Sequence, residues 1–140
     1  MSDFVKIEKG LGAEGRIAIV RFDRGDGINA LSPEALRQLT EAARSFEDDG
    51  ETSVVVLAGN AKAFSAGFDL KDPEGRSRAT MDLGALRRHL KLGPRLSHAW
   101  QEMEQITIGA IEGFCIGGGV ALAVALDFRV MAKNAHMRVP

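Results

Sequence analysis

The chain has 140 residues, of which 45% are hydrophobic and 26% charged, as is typical of one soluble globular domain. A net charge of -1 gives no support for a surface that binds nucleic acid or an anionic membrane. The single cysteine, Cys115, excludes an internal disulfide and indicates a reducing compartment. We expect Cys115 to be a small residue of the core.

No segment of the chain is typical of a signal peptide or a membrane span. Residues 1–10 alternate charged and apolar side chains and have no apolar central run. The longest apolar stretch, residues 117–126, is shorter than the roughly 20 residues that cross a bilayer. The sequence therefore predicts a cytoplasmic enzyme or binding domain, with neither a membrane nor a nucleic acid as partner.

The first half of the chain predicts two strands, a helix and a third strand. Residues 5–8 alternate apolar and polar side chains and predict a strand, and residues 16–22 predict a second strand after a glycine-rich turn. Ser32-Pro33 predicts a helix start, because serine accepts a hydrogen bond from a free amide and proline has no N–H to leave unpaired. The β-branched run at 53–58 lacks alternation, which predicts a strand buried on both faces.

The second half predicts mostly helices, with a strand before and after the last one. Residues 59–67 are predicted to be a loop, and the polar residues 71–80 to be a mobile segment that borders a site. Leucines at helical spacing predict a helix that ends at Gly93-Pro94, and a second helix follows. The remaining predicted elements are a strand at 106–111, a tight glycine turn at 117–119, a buried helix at 120–126 and a final strand at 128–132. This order is typical of an α/β fold.

Two glycine-containing turns carry the candidate chemistry. One spans residues 63–70, after the buried strand, and the other spans residues 113–119, before the buried helix. Glycine permits positive φ and close approach of a ligand to the backbone, and amides at a helix start have no intrahelical partner. Two such amides directed at one point would form an oxyanion hole. The glycines also fit plain strand–helix packing, whereas their spacing fits neither a Walker loop nor a Rossmann turn.

Three segments, in this order, resemble the crotonase (enoyl-CoA hydratase/isomerase) family. Asn29-Ala30-Leu31-Ser32 resembles its N-A-L-S segment, and residues 54–70 resemble its V-V-L-x-G…F-S-A-G-x-D-L signature. Residues 110–129 resemble its A-x-x-G-x-x-x-G-G-G-x-E-L-A…C-D-x-R block. The match covers nearly all of the chain in the family's spacing, so we expect a member of this family.

The resemblance implies an α/β fold of the crotonase type, a spiral of ββα units with two roughly perpendicular sheets. It implies an acyl-CoA thioester as substrate, no redox cofactor, and a homotrimer or hexamer in the full-length protein. No cluster of ligand-type residues indicates a metal site. Residues 1–140 would be the N-terminal part of a truncated crotonase-like domain, because the family's second catalytic glutamate would follow Pro140.

By the same resemblance, the thioester oxygen would lie between the backbone N–H groups of Phe68 and Gly118, which would stabilise an enolate. Ala121 stands where hydratases have the first of their two catalytic glutamates. Asp69 is expected to accept backbone hydrogen bonds. Other residues that could supply an acid or base, although each also fits a helix surface, are His89, His98, Glu102 and Glu104. The residues expected to contact the substrate are Ala30, Lys62, Ala66, Gly67, Asp69, Leu70, Phe114, Gly117 and Ala121.

The sequence leaves three functions open. The first is an acyl-CoA enzyme of the hydratase/isomerase type, and with one glutamate at most it better suits isomerisation, which can run with a single base. The second is a catalytically impaired acyl-CoA-binding or assembly protein, which Ala121 favours. The third is a crotonase-fold hydrolase or lyase that acts on another activated carbonyl.

Overall fold

Two β-sheets and five helices make up the computed structural model, which describes residues 3–140. The larger sheet has the order β1-β2-β3-β5-β7, and the smaller one has the order β4-β6-β8. Strands β1 and β2 are antiparallel, and the other neighbouring pairs are parallel. The strands are β1 (Val5–Leu11), β2 (Ile17–Phe22), β3 (Val54–Ala58), β4 (Ala63–Ser65), β5 (Ile106–Ile111), β6 (Phe114–Ile116), β7 (Phe128–Met131) and β8 (His136–Arg138). This architecture confirms the predicted α/β class with two sheets.

The helices lie in the connections between strands. They are α1 (Pro33–Arg44), α2 (Pro73–Arg76), α3 (Leu83–Leu90), α4 (Leu92–Gln101) and α5 (Gly118–Val124), with a 3₁₀ turn at Ser77–Thr80. Helix α1 begins as predicted, because the side chain of Ser32 accepts a hydrogen bond of 3.1 Å from the Ala35 amide. Within residues 3–140, no helix has the length and apolar character of a membrane-spanning segment.

The smaller sheet corrects the sequence-based prediction in three places. Strand β4 lies within residues 59–67, which were predicted to be a loop, and β6 lies between Gly113 and Gly117. Strand β8 follows β7, so the predicted final strand is not the last one. Each of these three strands has only three residues, which is too short to show the alternation that identifies a strand in sequence.

Two predicted helix boundaries were also wrong. Gly93-Pro94 does not end a helix, since both residues lie in the first turn of α4, where a proline without an N–H is tolerated. Gly118 and Gly119 do not form a separate turn, because they are the first residues of α5.

The hydrophobic core contains residues of the larger sheet together with residues of α1, α4 and α5, and α1 packs against α4. Strand β3 is flanked by parallel strands on both sides, which confirms the predicted strand. Its Val55 and Leu57 are fully buried, but Val54 and Val56 on the other face are only half-buried, so the prediction of burial on both faces was too strong. The indole N–H of Trp100 in α4 donates a hydrogen bond of 3.1 Å to the Leu39 carbonyl in α1. Cys115 is fully buried, and burial raises the pKa of its thiol to about 11, so it is a core residue as predicted.

Candidate functional site

The turn after β4 lies against the start of α5. Gly67 has a φ of +95°, and a Cβ on it would lie 2.8 Å from the carbonyl oxygen of Ile116 and 3.3 Å from the amide nitrogen of Gly118. Contacts below 3 Å are not compatible with a side chain, so only glycine fits here. The two turns that the sequence singled out are therefore brought together.

The glycine triplet makes the same contact from the other side. A Cβ on Gly119 would lie 2.6 Å from the carbonyl oxygen and 3.1 Å from the Cβ of Ser65, the last residue of β4. Gly117 has a φ of +56°, and its amide donates a hydrogen bond of 3.0 Å to the Arg138 carbonyl in β8. The start of α5 is thus fixed against the C-terminal ends of two strands of the smaller sheet.

Phe68 in the first turn and Gly118 in the second each present an unpaired backbone N–H. Leu31 donates to the Gly67 carbonyl at 2.7 Å and accepts from the Asp69 amide at 3.1 Å. In this parallel pairing the N–H of the residue between them, Phe68, points away from Leu31. Within residues 3–140, neither the Phe68 N–H nor the Gly118 N–H is donated to an acceptor. Both groups are free to bind an oxygen atom of a ligand.

Asn29 anchors the first turn, although the sequence indicated it only as part of a motif. It is fully buried at a φ of +52°, and its side-chain amide donates to the carbonyls of Phe22 at 2.8 Å and Ala63 at 3.2 Å. The Ser65 hydroxyl donates to the Asn29 carbonyl at 2.7 Å and accepts from the Gly67 amide at 3.1 Å. These bonds join β2, β4 and the glycine turn into one polar network.

Asp69 is held by an arginine that sequence reasoning missed. Arg24 donates to the Asp69 carboxylate at 2.9 Å and to the Ala30 carbonyl at 3.0 Å. Asp69 also accepts from the Lys71 amide at 3.0 Å, so it does accept a backbone hydrogen bond as predicted. Burial acts to raise the pKa of Asp69, but the hydrogen bonds from Arg24 and Lys71 hold it below its ordinary value.

The other residues that were predicted to contact substrate do not all meet at one place. Ala66 donates its amide to the Ile28 carbonyl at 2.9 Å, and Leu70 is strongly exposed beyond Asp69. Lys62 and Phe114 meet at the N-terminal ends of β4 and β6, one strand length from the unpaired amides. Lys62 is exposed there, and Phe114 stacks on the ring of His136. Ala66, Gly67, Asp69 and Leu70 lie within two positions of Phe68 along the chain, and Gly117 and Ala121 lie within three positions of Gly118. The Ala30 carbonyl is joined to Asp69 through Arg24, whereas Lys62 and Phe114 lie at the other end of the smaller sheet.

Cavities lie on both sides of the Phe68 ring. The smaller one has a volume of about 230 Å³ and reaches Gly118 and Ala121, and the larger one has a volume of about 510 Å³ and reaches Asp69 and His89. Both are lined by Leu31, Leu36, Phe68, Gly93 and Pro94. The unpaired N–H groups thus lie next to space that could hold a small apolar ligand.

Comparison with known proteins decides the family. A family model described as "Enoyl-CoA hydratase/isomerase" matches residues 12–140. The chain belongs to the enoyl-CoA hydratase/isomerase family. It is 32% identical to a probable enoyl-CoA hydratase of Rhizobium meliloti (strain 1021), over 91% of this chain and 47% of that protein. It is also 32% identical to a 4-chlorobenzoyl coenzyme A dehalogenase of Arthrobacter sp, over 85% of this chain and 43% of that protein.

Solved structures agree with this family assignment. The crystal structure of an enoyl-CoA hydratase from Bacillus anthracis matches with a TM-score of 0.81 and 28% identity, over 98% of this chain and 50% of that one. The predicted crotonase fold is therefore confirmed. The chain spans about half the length of the curated relatives that it matches.

Within residues 3–140, no acidic or basic side chain lines the smaller cavity. Ala121 lines it at the position of the expected glutamate, and Ser97 is the one residue of its lining with a polar side chain. His89 lines the larger cavity. Its Nδ1 is buried, has no hydrogen-bond partner within residues 3–140 and lies 4.0 Å from a Glu74 carboxylate oxygen.

The remaining acid and base candidates lie elsewhere. His98, Glu102 and Glu104 line a separate cavity between α1 and α4, which Phe68 does not reach. Of the four candidates, only His89 shares a cavity with Phe68. Among residues 3–140, no group of three His, Cys, Asp or Glu side chains comes together in the way that metal ligands do.

Proposed function

We propose that the protein acts on acyl-CoA thioesters as an enzyme of the enoyl-CoA hydratase/isomerase type. The observation that carries this proposal is the pair of adjoining turns in which Phe68 and Gly118 each present an unpaired backbone N–H. The thioester oxygen would accept both hydrogen bonds. When the α-carbon loses a proton, negative charge moves to that oxygen and strengthens both bonds. One such donor is worth about 3–4 kcal/mol of transition-state stabilisation.

The environment of the two amides supports selective stabilisation of this charge. The glycines at 67 and 119 allow the turns to meet, and the buried Asn29 network fixes the first turn, so the donors need little rearrangement during reaction. Preorganised donors of this kind act more strongly than donors in water. The apolar smaller cavity would take the acyl carbon atoms next to the thioester.

A single base would move the proton. We propose double-bond isomerisation of a 3-enoyl thioester, in which the base removes a proton from C2 and returns it to C4. Between these two steps the substrate is an enolate, and its negative charge is held on the thioester oxygen. Among residues 3–140, His89 is the candidate base, because it lines the larger cavity, which adjoins the smaller one at Phe68.

Ala121 favours a second candidate, an acyl-CoA-binding protein without turnover. An alanine in the cavity next to Gly118 cannot carry a proton, while the two amides would still bind the carbonyl. The similarity to a dehalogenase whose name specifies a coenzyme A thioester supports thioester binding in either case. For both candidates we propose a cytoplasmic protein that assembles as a homotrimer or hexamer.

Turnover and binding assays on the natural protein separate these functions. We expect isomerisation of a 3-enoyl-CoA to exceed hydration of crotonyl-CoA, with His89→Gln lowering kcat at least tenfold. His98→Gln, which changes a histidine in the separate cavity, is the matched control and should keep the wild-type rate. Tight binding without product from either substrate would favour the binding protein. Absence of acyl-CoA binding would contradict both functions.

A further inference from the structure

The Phe68 side chain occupies an unusual place for a large aromatic group. It is 52% exposed, and its ring lies between two helices rather than in the core. A Cβ on Gly118 in α5 would lie 3.1 Å from the ring, and a Cβ on Gly93 in α4 would lie 3.2 Å from it. The ring therefore bridges the start of α5 and the start of α4, with a glycine backbone on each side.

This position places the ring between two cavities of different character. The smaller cavity, next to Gly118, is lined almost entirely by apolar side chains. The larger cavity continues under α2 and α3 and is lined by Arg76, Arg78 and His89 as well as by Leu90. Phe68 is one of five residues that line both cavities, so the cavities adjoin there and its ring forms part of their shared wall.

We propose that the Phe68 side chain sets the acyl length that the protein accepts. This inference rests on the proposed function, because it places the thioester carbonyl at the two amides. An acyl chain that starts at Gly118 would fill the smaller cavity and end against the ring. A longer chain would have to displace the ring to reach the larger cavity. The protein would therefore prefer short acyl thioesters. Phe68 would then have two roles, since its backbone N–H binds the carbonyl and its side chain limits the length of the acyl group.

Truncation of the ring tests this proposal without removing the backbone donor. Phe68→Ala keeps the N–H at position 68 and joins the smaller and larger cavities. For the wild-type natural protein, we expect kcat/KM to be higher for a four-carbon than for a ten-carbon enoyl-CoA. In Phe68→Ala this preference should shift toward the ten-carbon substrate at least tenfold, since each methylene buried in an apolar pocket changes discrimination by roughly 10-fold or more.

The matched control is Phe128→Ala, which removes an exposed phenylalanine on β7 that lines neither cavity. Its ratio of long-chain to short-chain kcat/KM should equal that of wild type. Phe68→Leu, which retains more of the wall, should give an intermediate ratio and serves as the test if Phe68→Ala does not fold. Circular dichroism and the melting temperature report folding of each variant.

Binding measurements keep failure of this proposal distinct from failure of the proposed function. Isothermal titration with saturated butanoyl-CoA and decanoyl-CoA needs no turnover and should show the same shift in the ratio of the two Kd values. If wild type binds both thioesters but a folded Phe68 variant leaves their ratio unchanged, the wall does not exist and the proposed function stands. If wild type binds neither thioester, the proposed function fails and this inference fails with it.

Discussion

The two sides of the site are built in different ways. The turn at residues 65–69 is fixed by buried polar groups, with Asn29 and Ser65 fully enclosed and the Arg24–Asp69 ion pair mostly so. The segment that faces it, from α2 to the end of α3 (residues 73–90), contains no buried residue.

This difference shows where the fold specifies geometry closely. A buried hydrogen-bond network in which each polar group has a partner permits one arrangement, because any other arrangement leaves a polar group unpaired. A segment that buries no side chain has few contacts to lose and opens at low free energy. The turn that would hold the carbonyl is thus fixed by a buried hydrogen-bond network. The segment that borders the larger cavity has no buried residue and should open more easily.

Removal of the Asn29 side chain should destabilise the turn at residues 65–69 more than any other substitution considered below. Asn29→Ala leaves the buried Phe22 and Ala63 carbonyls without their donor and places alanine at a positive φ. We expect a loss of about 3 kcal/mol in the free energy of unfolding, measured by urea denaturation. Asn134→Ala, at an exposed site, is the control and should change this free energy by less than about 0.5 kcal/mol. Equal effects of the two substitutions would show that the network does not hold the turn.

A methyl group at position 119 should have the next largest effect. In Gly119→Ala the new Cβ meets the Ser65 carbonyl oxygen at 2.6 Å, so α5 must move away from β4 at a cost of about 2 kcal/mol. Gly50→Ala is the matched control, because no atom lies within 4 Å of its Cβ. Thermal unfolding should show a lower melting temperature for the first variant and an unchanged or higher one for the second. A melting temperature for Gly119→Ala equal to that of wild type would contradict the close contact of the two turns.

The Arg24–Asp69 pair should make a smaller and pH-dependent contribution. Asp69→Asn should lower the free energy of unfolding by about 1.5 kcal/mol at pH 7. Because the folded-state pKa of Asp69 is depressed, its contribution is present above the unfolded-state pKa and is lost as pH falls through the folded-state pKa.

The difference between wild type and Asp69→Asn should therefore shrink in acid, as measured by denaturation at pH 7 and at about pH 3. Asp48→Asn provides the comparison at an exposed carboxylate without a partner in residues 3–140. It should have little effect at either pH. If the difference in the free energy of unfolding between wild type and Asp69→Asn is the same at both pH values, the ion pair does not stabilise the fold.

Substitution in the facing segment should have the smallest effect. Leu83 begins α3 and is 69% exposed, so Leu83→Ala should change the free energy of unfolding by less than about 0.5 kcal/mol. Native-state hydrogen exchange should sharpen the same comparison, with faster exchange of the α3 amides than of the β3 amides. Protection of α3 equal to that of β3 would show that the two sides of the site do not differ.

Local chemistry decided which elements could be predicted from the sequence. The Ser32-Pro33 cap and a strand within the run at 53–58 were predicted correctly, because a cap and a β-branched strand leave their pattern within a few adjacent residues. The glycine turns were recognisable because their residue types and spacing recur in a known family. The three-residue strands β4, β6 and β8 were not found, since they carry too few residues for a periodic signal.

Contacts between distant residues could not be predicted from the sequence. Arg24 and Asp69 are 45 positions apart, and neither residue type specifies the other as its partner. His89 and His98 could not be told apart either, because their assignment to different cavities depends on how α3 and α4 pack. The position of the Phe68 ring likewise depends on two distant glycines, Gly93 in α4 and Gly118 in α5.

A crystal structure of the protein with a bound, unreactive acyl-CoA thioester tests the central claim most directly. We predict that the thioester carbonyl oxygen lies within about 3.2 Å of both the Phe68 and the Gly118 amide nitrogens, as two shared hydrogen bonds require. A bound thioester whose oxygen contacts neither nitrogen, or only one of them, would contradict the proposal.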